Sequence, residues 1–223
     1  MDKRVLITGT SKGIGLALTE KFLEKGYKVI GTCRTGKIDE IANTNFEVLA
    51  LDLSNLDSIR QFEEQFKNKR ISLDILINNA GVGPDLDLEY PDEKTFKQTF
   101  DVNVIGTTFF TESFLKYINE GGKIINISSK MGSLDLCELT DSVAYRMSKT
   151  AINMYTKILA NRLVGQQFVA SIHPGWVRTT IAKSNINGRL STEESATKIF
   201  DFVSTDFKTG IFWNVENQTE CKW

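Results

Sequence analysis

The protein has 223 residues, 41% of them hydrophobic and 25% charged, with a formal net charge of -1. That length supports one well-buried core and leaves little for a second. The near-neutral balance, with Lys and Arg spread along the chain, argues against a nucleic-acid or anionic-membrane surface, and no apolar run is long enough to span a bilayer.

Residues 5–7 read as a first strand, followed by the glycine-rich turn Thr8-Gly9-Thr10-Ser11-Lys12-Gly13-Ile14-Gly15. A helix then carries Ile14, Leu18 and Phe22 at four-residue steps, with Gly26 near its end. Residues 27–32 and 46–51 read as the second and third strands, and Leu56, Ile59, Phe62 and Phe66 mark the next helix. Residues 73–77 form a fourth strand leading into Asn78-Asn79-Ala80-Gly81. The spacing then predicts a long helical stretch over about 93–119, a fifth strand at 123–127 and a helix over 142–164. A sixth strand at 168–172, a helix at 192–203 and a last short strand at 211–213 complete the pattern. Such alternation implies one doubly wound α/β domain over 1–223, a parallel sheet with helices on both faces.

The N-terminus turns to glycine after three apolar residues, which does not suit a signal peptide. Cys33, Cys137 and Cys221 are widely spaced, without a CxxC pair, and read as free thiols in a reducing cytoplasm. The one histidine, His173, rules out a multi-histidine metal site; it reads as a packed or solvent-facing residue, not a catalyst.

Two local patterns point to chemistry. Glycines in a turn between strand and helix let the backbone approach a pyrophosphate, whose charge the helix N-terminus stabilises. The spacing here is GxxxGxG, not the commoner GxGxxG, and an ordinary βα turn is its bland alternative. In the second pattern Tyr145 and Lys149 lie four residues apart, on one helical face. A nearby ammonium favours phenolate and would lower the tyrosine pKa from its usual value of about 10, making proton transfer feasible near neutrality.

The variant glycine spacing together with Tyr145 and Lys149 resembles the short-chain dehydrogenase/reductase family. Asn78-Asn79-Ala80-Gly81 matches its NNAG segment, and Asn103 lies in a matching Val-Asn-Val-Ile-Gly run. Asn126-Ile127-Ser128-Ser129 matches the strand end bearing the family's serine, and His173-Pro174-Gly175-Trp176-Val177-Arg178-Thr179 matches its PG segment. The resemblance covers nearly the whole chain. It implies a Rossmann-like fold and a hydride-transferring oxidoreductase, with Tyr145 as general acid or base. Lys149 would hold the nicotinamide ribose and lower the tyrosine pKa, and Ser129, with Ser128 as its alternative, would hydrogen-bond the substrate oxygen. Asn103 would hold a water linking Lys149 to solvent.

The resemblance further implies cofactor contacts from Gly9, Ser11, Lys12, Gly13, Ile14, Gly15, Asn79, Ala80 and Gly81, and from Pro174, Gly175, Val177 and Thr179 near the nicotinamide. Asp52 and Leu53 would meet the adenine, although Asp52 could equally cap the helix beginning near Asn55. An NAD site carries an acid at the end of the second strand. Here that strand ends Ile30-Gly31-Thr32-Cys33-Arg34, so Arg34 could grip a 2′-phosphate with its guanidinium fork, and Lys12 lies where NADP-preferring relatives place a second cation. The expected cofactor is NADP(H), with NAD(H) as the alternative.

Sixteen positions separate Ser129 from Tyr145, more than in many members, and the added loop holding Cys137 would reshape the substrate pocket. That loop and the compact tail resemble the carbonyl-reductase branch that includes the C-factor and sniffer proteins. The expectation is a cytoplasmic reductase of a small or medium-sized carbonyl. Residues of about 176–190 would form a substrate lid, and relatives pair through the long helices as dimers or tetramers. The rival readings are an NAD-dependent alcohol dehydrogenase and a non-catalytic dinucleotide-sensing regulator.

Overall fold

The short apolar runs become β1 (Arg4–Ile7), β2 (Lys28–Cys33), β3 (Phe46–Ala50), β4 (Leu73–Asn78), β5 (Ile118–Ile127), β6 (Phe168–His173), β7 (Ile211–Asn214) and β8 (Thr219–Glu220) in the computed structural model, which describes residues 3–223. They form one sheet in the order β3-β2-β1-β4-β5-β6-β7-β8. Pairings from β3 to β7 are parallel, and β7 pairs antiparallel with β8. The sheet is therefore mixed, not wholly parallel as the periodicity predicts. β8 has two exposed residues, too few to carry an alternating pattern.

The helices are α1 (Gly13–Glu24), α2 (Leu56–Asn68), α3 (Glu93–Phe100), α4 (Thr107–Phe114), α5 (Val143–Arg162) and α6 (Thr192–Ser204). On one face of the sheet, Leu18 and Phe22 of α1 pack with Ala196 and Ile199 of α6 over Ile7, Ile77 and Ile172. On the other, Phe62 and Phe66 of α2 meet Phe110 and Phe114 of α4, with Leu159 of α5, over Leu6, Leu76 and Ile124. Burial on both faces explains why the strands read as continuous apolar runs.

The stretch predicted as one helix over 93–119 is broken. A π-helical turn, Asp101–Gly106, separates α3 from α4, and a 3-10 turn, Leu115–Tyr117, ends it. At Gly106 a Cβ would stand 2.0 Å from the Leu53 carbonyl oxygen, so backbone contact with the chain after β3 is possible only with glycine here. β5 begins at Ile118, five residues before its predicted start, because Ile118 pairs with Leu73 before a register shift; regular pairing resumes at Lys123 opposite Ile75. No helix among the described residues is long and apolar enough to cross a membrane.

Candidate active site

The carboxyl ends of β1, β2, β4, β5 and β6 converge where the strand order reverses between β1 and β4, the crevice in which doubly wound sheets bind ligands. The glycine-rich turn leaves β1 here. Gly9 has φ +72°, and a Cβ on it would lie 2.8 Å from the Ala80 Cα. A Cβ on Gly15 would fall 2.1 Å from the Gly9 carbonyl oxygen and 2.5 Å from Asn79 Nδ2. The Thr8 hydroxyl accepts from the backbone amides of Asn79 (3.1 Å) and Ala80 (3.0 Å), and Asn79 Nδ2 donates to the carbonyls of Thr8 (2.9 Å) and Gly9 (3.0 Å). The Asn79 side chain therefore braces the turn, and the Ile14 side chain packs against the core.

No side chain caps the amino end of α1. With the glycines keeping its approach clear, this cradle fits a pyrophosphate: its open amide end is the positive end of the helix dipole. Thr10 donates its amide to the Thr32 carbonyl (2.9 Å), so the turn bearing Lys12 lies beside the end of β2 bearing Arg34. Both cations are exposed, and neither makes an ion pair among the described residues. Asp52 accepts from the Ser54 amide (2.9 Å) and hydroxyl (2.7 Å), whereas Asn55 caps α2. That removes the helix-capping alternative for Asp52. Leu53 is buried beside the π turn.

Tyr145 and Lys149 stand on α5 facing the end of β5. Lys149 is buried; its Nζ donates to the Ile127 carbonyl (2.9 Å) and lies 5.5 Å from the Tyr145 ring centre. Ser129 hydrogen-bonds the Tyr145 phenol, and its Oγ accepts from the Met131 amide (3.1 Å). Ser128 points elsewhere, donating to the Lys149 carbonyl (3.4 Å), so geometry separates the two serines. Asn103 occupies the π turn, a frequent mark of functional sites. Its amide exchanges two hydrogen bonds with the Val82 main chain (both 2.8 Å) and donates to Ser148 Oγ (3.1 Å). A Cβ on Gly81 would approach Asn103 Oδ1 to 3.3 Å and Lys149 Nζ to 3.5 Å, placing the NNAG segment over this pair.

The electrostatics differ from the sequence expectation. Burial, aided by the Asp85 carboxylate, pushes the Tyr145 phenol up to about 12, and the Ser129 hydrogen bond opposes it. Burial pushes Lys149 down to about 8. In this state Lys149 does not draw the phenol below its usual value, because desolvation disfavours the charged form of both groups. The phenol is thus protonated near neutrality.

Pro174 and Gly175 follow β6, where the Pro174 carbonyl accepts from Ser195 Oγ (2.7 Å). Val177 is buried and bridges to Leu190. Thr179 reaches back to the glycine-rich turn, its methyl 3.8 Å from where a Gly13 Cβ would be. Ser184 donates to Asp87 (2.9 Å), joining the 176–190 segment to the loop after β4. Arg189 pairs with Glu216 in the β7–β8 turn. His173 is the packed residue of the two readings: it is buried with neither ring nitrogen bonded. The three cysteines are free. Sequence reasoning missed Asp85, a buried acid in the β4–α3 loop that meets α5 across 60 positions, and no local motif could have marked it.

The short chain dehydrogenase family model matches residues 3–189. The chain is 30% identical over 192 residues to a 3-oxoacyl-acyl-carrier-protein reductase of Buchnera aphidicola, covering 83% of this chain and 77% of that one. Among solved structures it is similar to the carbonyl reductase Sniffer of D. melanogaster, with a TM-score of 0.87 and 26% identity over 100% of both chains. The NADPH-bound carbonyl reductase from chicken fatty liver gives a TM-score of 0.84 and 25% identity, covering 100% of this chain and 99% of that one.

Proposed function

The chain belongs to the short chain dehydrogenase family of oxidoreductases, in its carbonyl-reductase branch, and from that premise we propose that it is an NADP(H)-dependent reductase of small or medium-sized ketones or aldehydes. The observation that carries this reading is the convergence of Ser129, Tyr145, Lys149 and Asn103 beside a cradle fit for a pyrophosphate.

The nicotinamide, when bound, supplies or accepts the hydride. Gly9, Ser11, Lys12, Gly13, Ile14 and Gly15 would hold the pyrophosphate through the turn, Asp52 and Leu53 the adenine, and Ala80, Gly81, Pro174, Gly175, Val177 and Thr179 the nicotinamide half. Tyr145, protonated near neutrality, delivers its proton to the carbonyl oxygen. Ser129 has its acceptor side engaged by the Met131 amide, so its single proton remains to stabilise charge developing on that oxygen. Lys149 spends one of three N–H donors on Ile127, leaving two for ribose hydroxyls. Asn103 would hold the water that links Lys149 to solvent for proton resupply. A panel of carbonyls assayed by NADPH oxidation tests the reading, and no turnover across it would sink it.

Arg34 and Lys12, both exposed on segments joined by the Thr10–Thr32 hydrogen bond, with no acid at the end of β2, support the preference for NADPH. We expect NADPH to bind at least about tenfold more tightly than NADH, since a charge-assisted contact contributes about 1.5–3 kcal/mol. Equal dissociation constants in a fluorescence titration would overturn that preference.

The 176–190 segment would act as the lid, its support being the Ser184–Asp87 hydrogen bond and the position of Thr179 near the glycine-rich turn. Amide exchange there should slow when NADPH is added; unchanged exchange would refute a lid. Exposed Ile105 and Phe109 near α4, with Met147, Met154 and Ile158 on α5, support self-pairing through these helices as a dimer or tetramer. Light scattering that gives a monomer mass at micromolar concentration would refute it. A cytoplasmic location fits the free thiols.

A further inference from the structure

Asp85 is 2% exposed, in the loop joining β4 to α3. Its Oδ2 accepts from the Tyr145 backbone amide at 3.0 Å, and its Oδ1 from the Thr99 hydroxyl at 3.3 Å. Among the described residues no cation pairs with it. A buried carboxylate with only neutral donors is costly to keep, so its place needs a reason.

That reason lies at the amino end of α5. A helix begins with unpaired amides that a local Ser, Thr or Asp ordinarily caps. Ser142 holds the capping position here, but it has φ +56° and caps nothing; its hydroxyl accepts from the Asp87 amide (3.2 Å) instead. Asp85 fills the role from 60 positions away, and the amide it takes is that of Tyr145. A negative charge at this end of a helix is also favoured by the helix dipole.

Resting on the assignment of Tyr145 as proton donor, we propose that Asp85 is a positioning residue for the reaction: its carboxylate fastens the Tyr145 main chain, and with it the start of α5, to the β4–α3 loop. The charged groups around the phenol are few. Lys149 faces the ring from the same helix, and Asp85, at the Tyr145 main-chain amide, raises the phenol pKa from the loop. Arg146, next in the chain, is paired with Asp141 at 2.7 Å, and Asp87 is engaged by Ser184 of the lid segment. The 3-10 turn after β5 presents the neutral Ser129 hydroxyl and carries Lys130, and α3 presents the neutral Thr99 hydroxyl. Asp85 is the negative charge that opposes phenolate formation.

Asp85→Asn keeps the size and one carbonyl acceptor but removes the charge, whereas Asp85→Ala removes both. In Asp85→Asn the basic limb of the kcat/KM profile for carbonyl reduction, which follows loss of the phenolic proton, should move to lower pH by about one unit or more. An ultraviolet phenolate titration of the cofactor-free protein, with Tyr145→Phe as the reference, should show the same displacement. In Asp85→Ala, kcat should also fall by about tenfold or more, as expected when a reacting group drifts by about 1 Å. NADPH affinity should hold within about twofold. An Asp85→Ala kcat within about twofold of wild type, or superimposable wild-type and Asp85→Asn profiles and titrations, would overturn the proposal while leaving Tyr145 as the acid. If Tyr145→Phe itself turns over normally, the underlying assignment fails first, and the two failures are therefore distinct.

Discussion

Replacing Tyr145 with Phe should lower kcat for carbonyl reduction by about 10³-fold, within the span set by loss of a general acid. The substitution removes one oxygen and little else. The backbone amide that Asp85 holds remains, so the start of α5 should keep its place. The ring remains packed beside Gly83, where a Cβ would stand 3.0 Å from Tyr145 Cδ2, and Leu86 borders the same space. What disappears is the hydrogen bond with Ser129 and the proton that burial holds on the phenol. Lys149 keeps its bond to Ile127 and stays available to the ribose. NADPH affinity should therefore change by no more than about twofold, since uniform binding is untouched while a transition-state interaction is lost. Paired measurements of turnover and NADPH dissociation check this. A variant that reduces a proven substrate at the wild-type rate would remove Tyr145 from the chemistry.

The second large effect is on stability. His173 is buried at the end of β6 with both ring nitrogens unbonded, and burial first, then the nearby Lys130 and Arg189 charges, push it down to about 4 from 6.5, with Glu216 opposing. The folded state therefore holds a neutral imidazole, whereas the unfolded chain takes up a proton as pH falls through 6.5. Between 6.5 and about 4 the unfolded state binds more protons, so stability falls as pH falls across that window and is unaffected above it. The full difference corresponds to about 3 kcal/mol, a large share of the roughly 5–15 kcal/mol that holds a domain folded. Urea midpoints measured from neutral to acid pH should drop more steeply for the wild type than for His173→Asn, which does not titrate there. Carboxylates such as Glu193, held below their usual range without a contribution from His173, titrate alike in both proteins, so the difference between the curves reports the histidine and its coupling to Glu216. Parallel curves would show that His173 is not buried as a neutral ring.

Much of the site is legible before any coordinates, because it is built from short local patterns. The turn from Thr8 to Gly15 has to bend sharply and then start a helix, and glycines announce both demands. Tyr145 and Lys149 share a face by helical geometry alone. The strand ends at Asn79 and Ser129 are marked by polar residues closing apolar runs. Even Asn103, a polar residue inside a helical stretch, turned out to sit in a π-helical turn. The reading failed where pattern is short or interrupted: β8 has two residues, and the register shift before Lys123 hides the first part of β5.

The amino-acid sequence by itself determined the alternation of strands and helices from β1 to β7, the glycine-rich turn after β1 and the shared face of Tyr145 and Lys149, because each follows from periodicity or from residues within a few positions of one another, and the resemblance of its motifs gave the family. Only the tertiary structure decided which serine meets the phenol, that Asp52 leaves the capping of α2 to Asn55, and that the cation beside Tyr145 does not lower its pKa in this state. It alone brought Asp85 to the start of α5. These outcomes depend on desolvation and on contacts across tens of residues, and neither quantity is carried by local sequence.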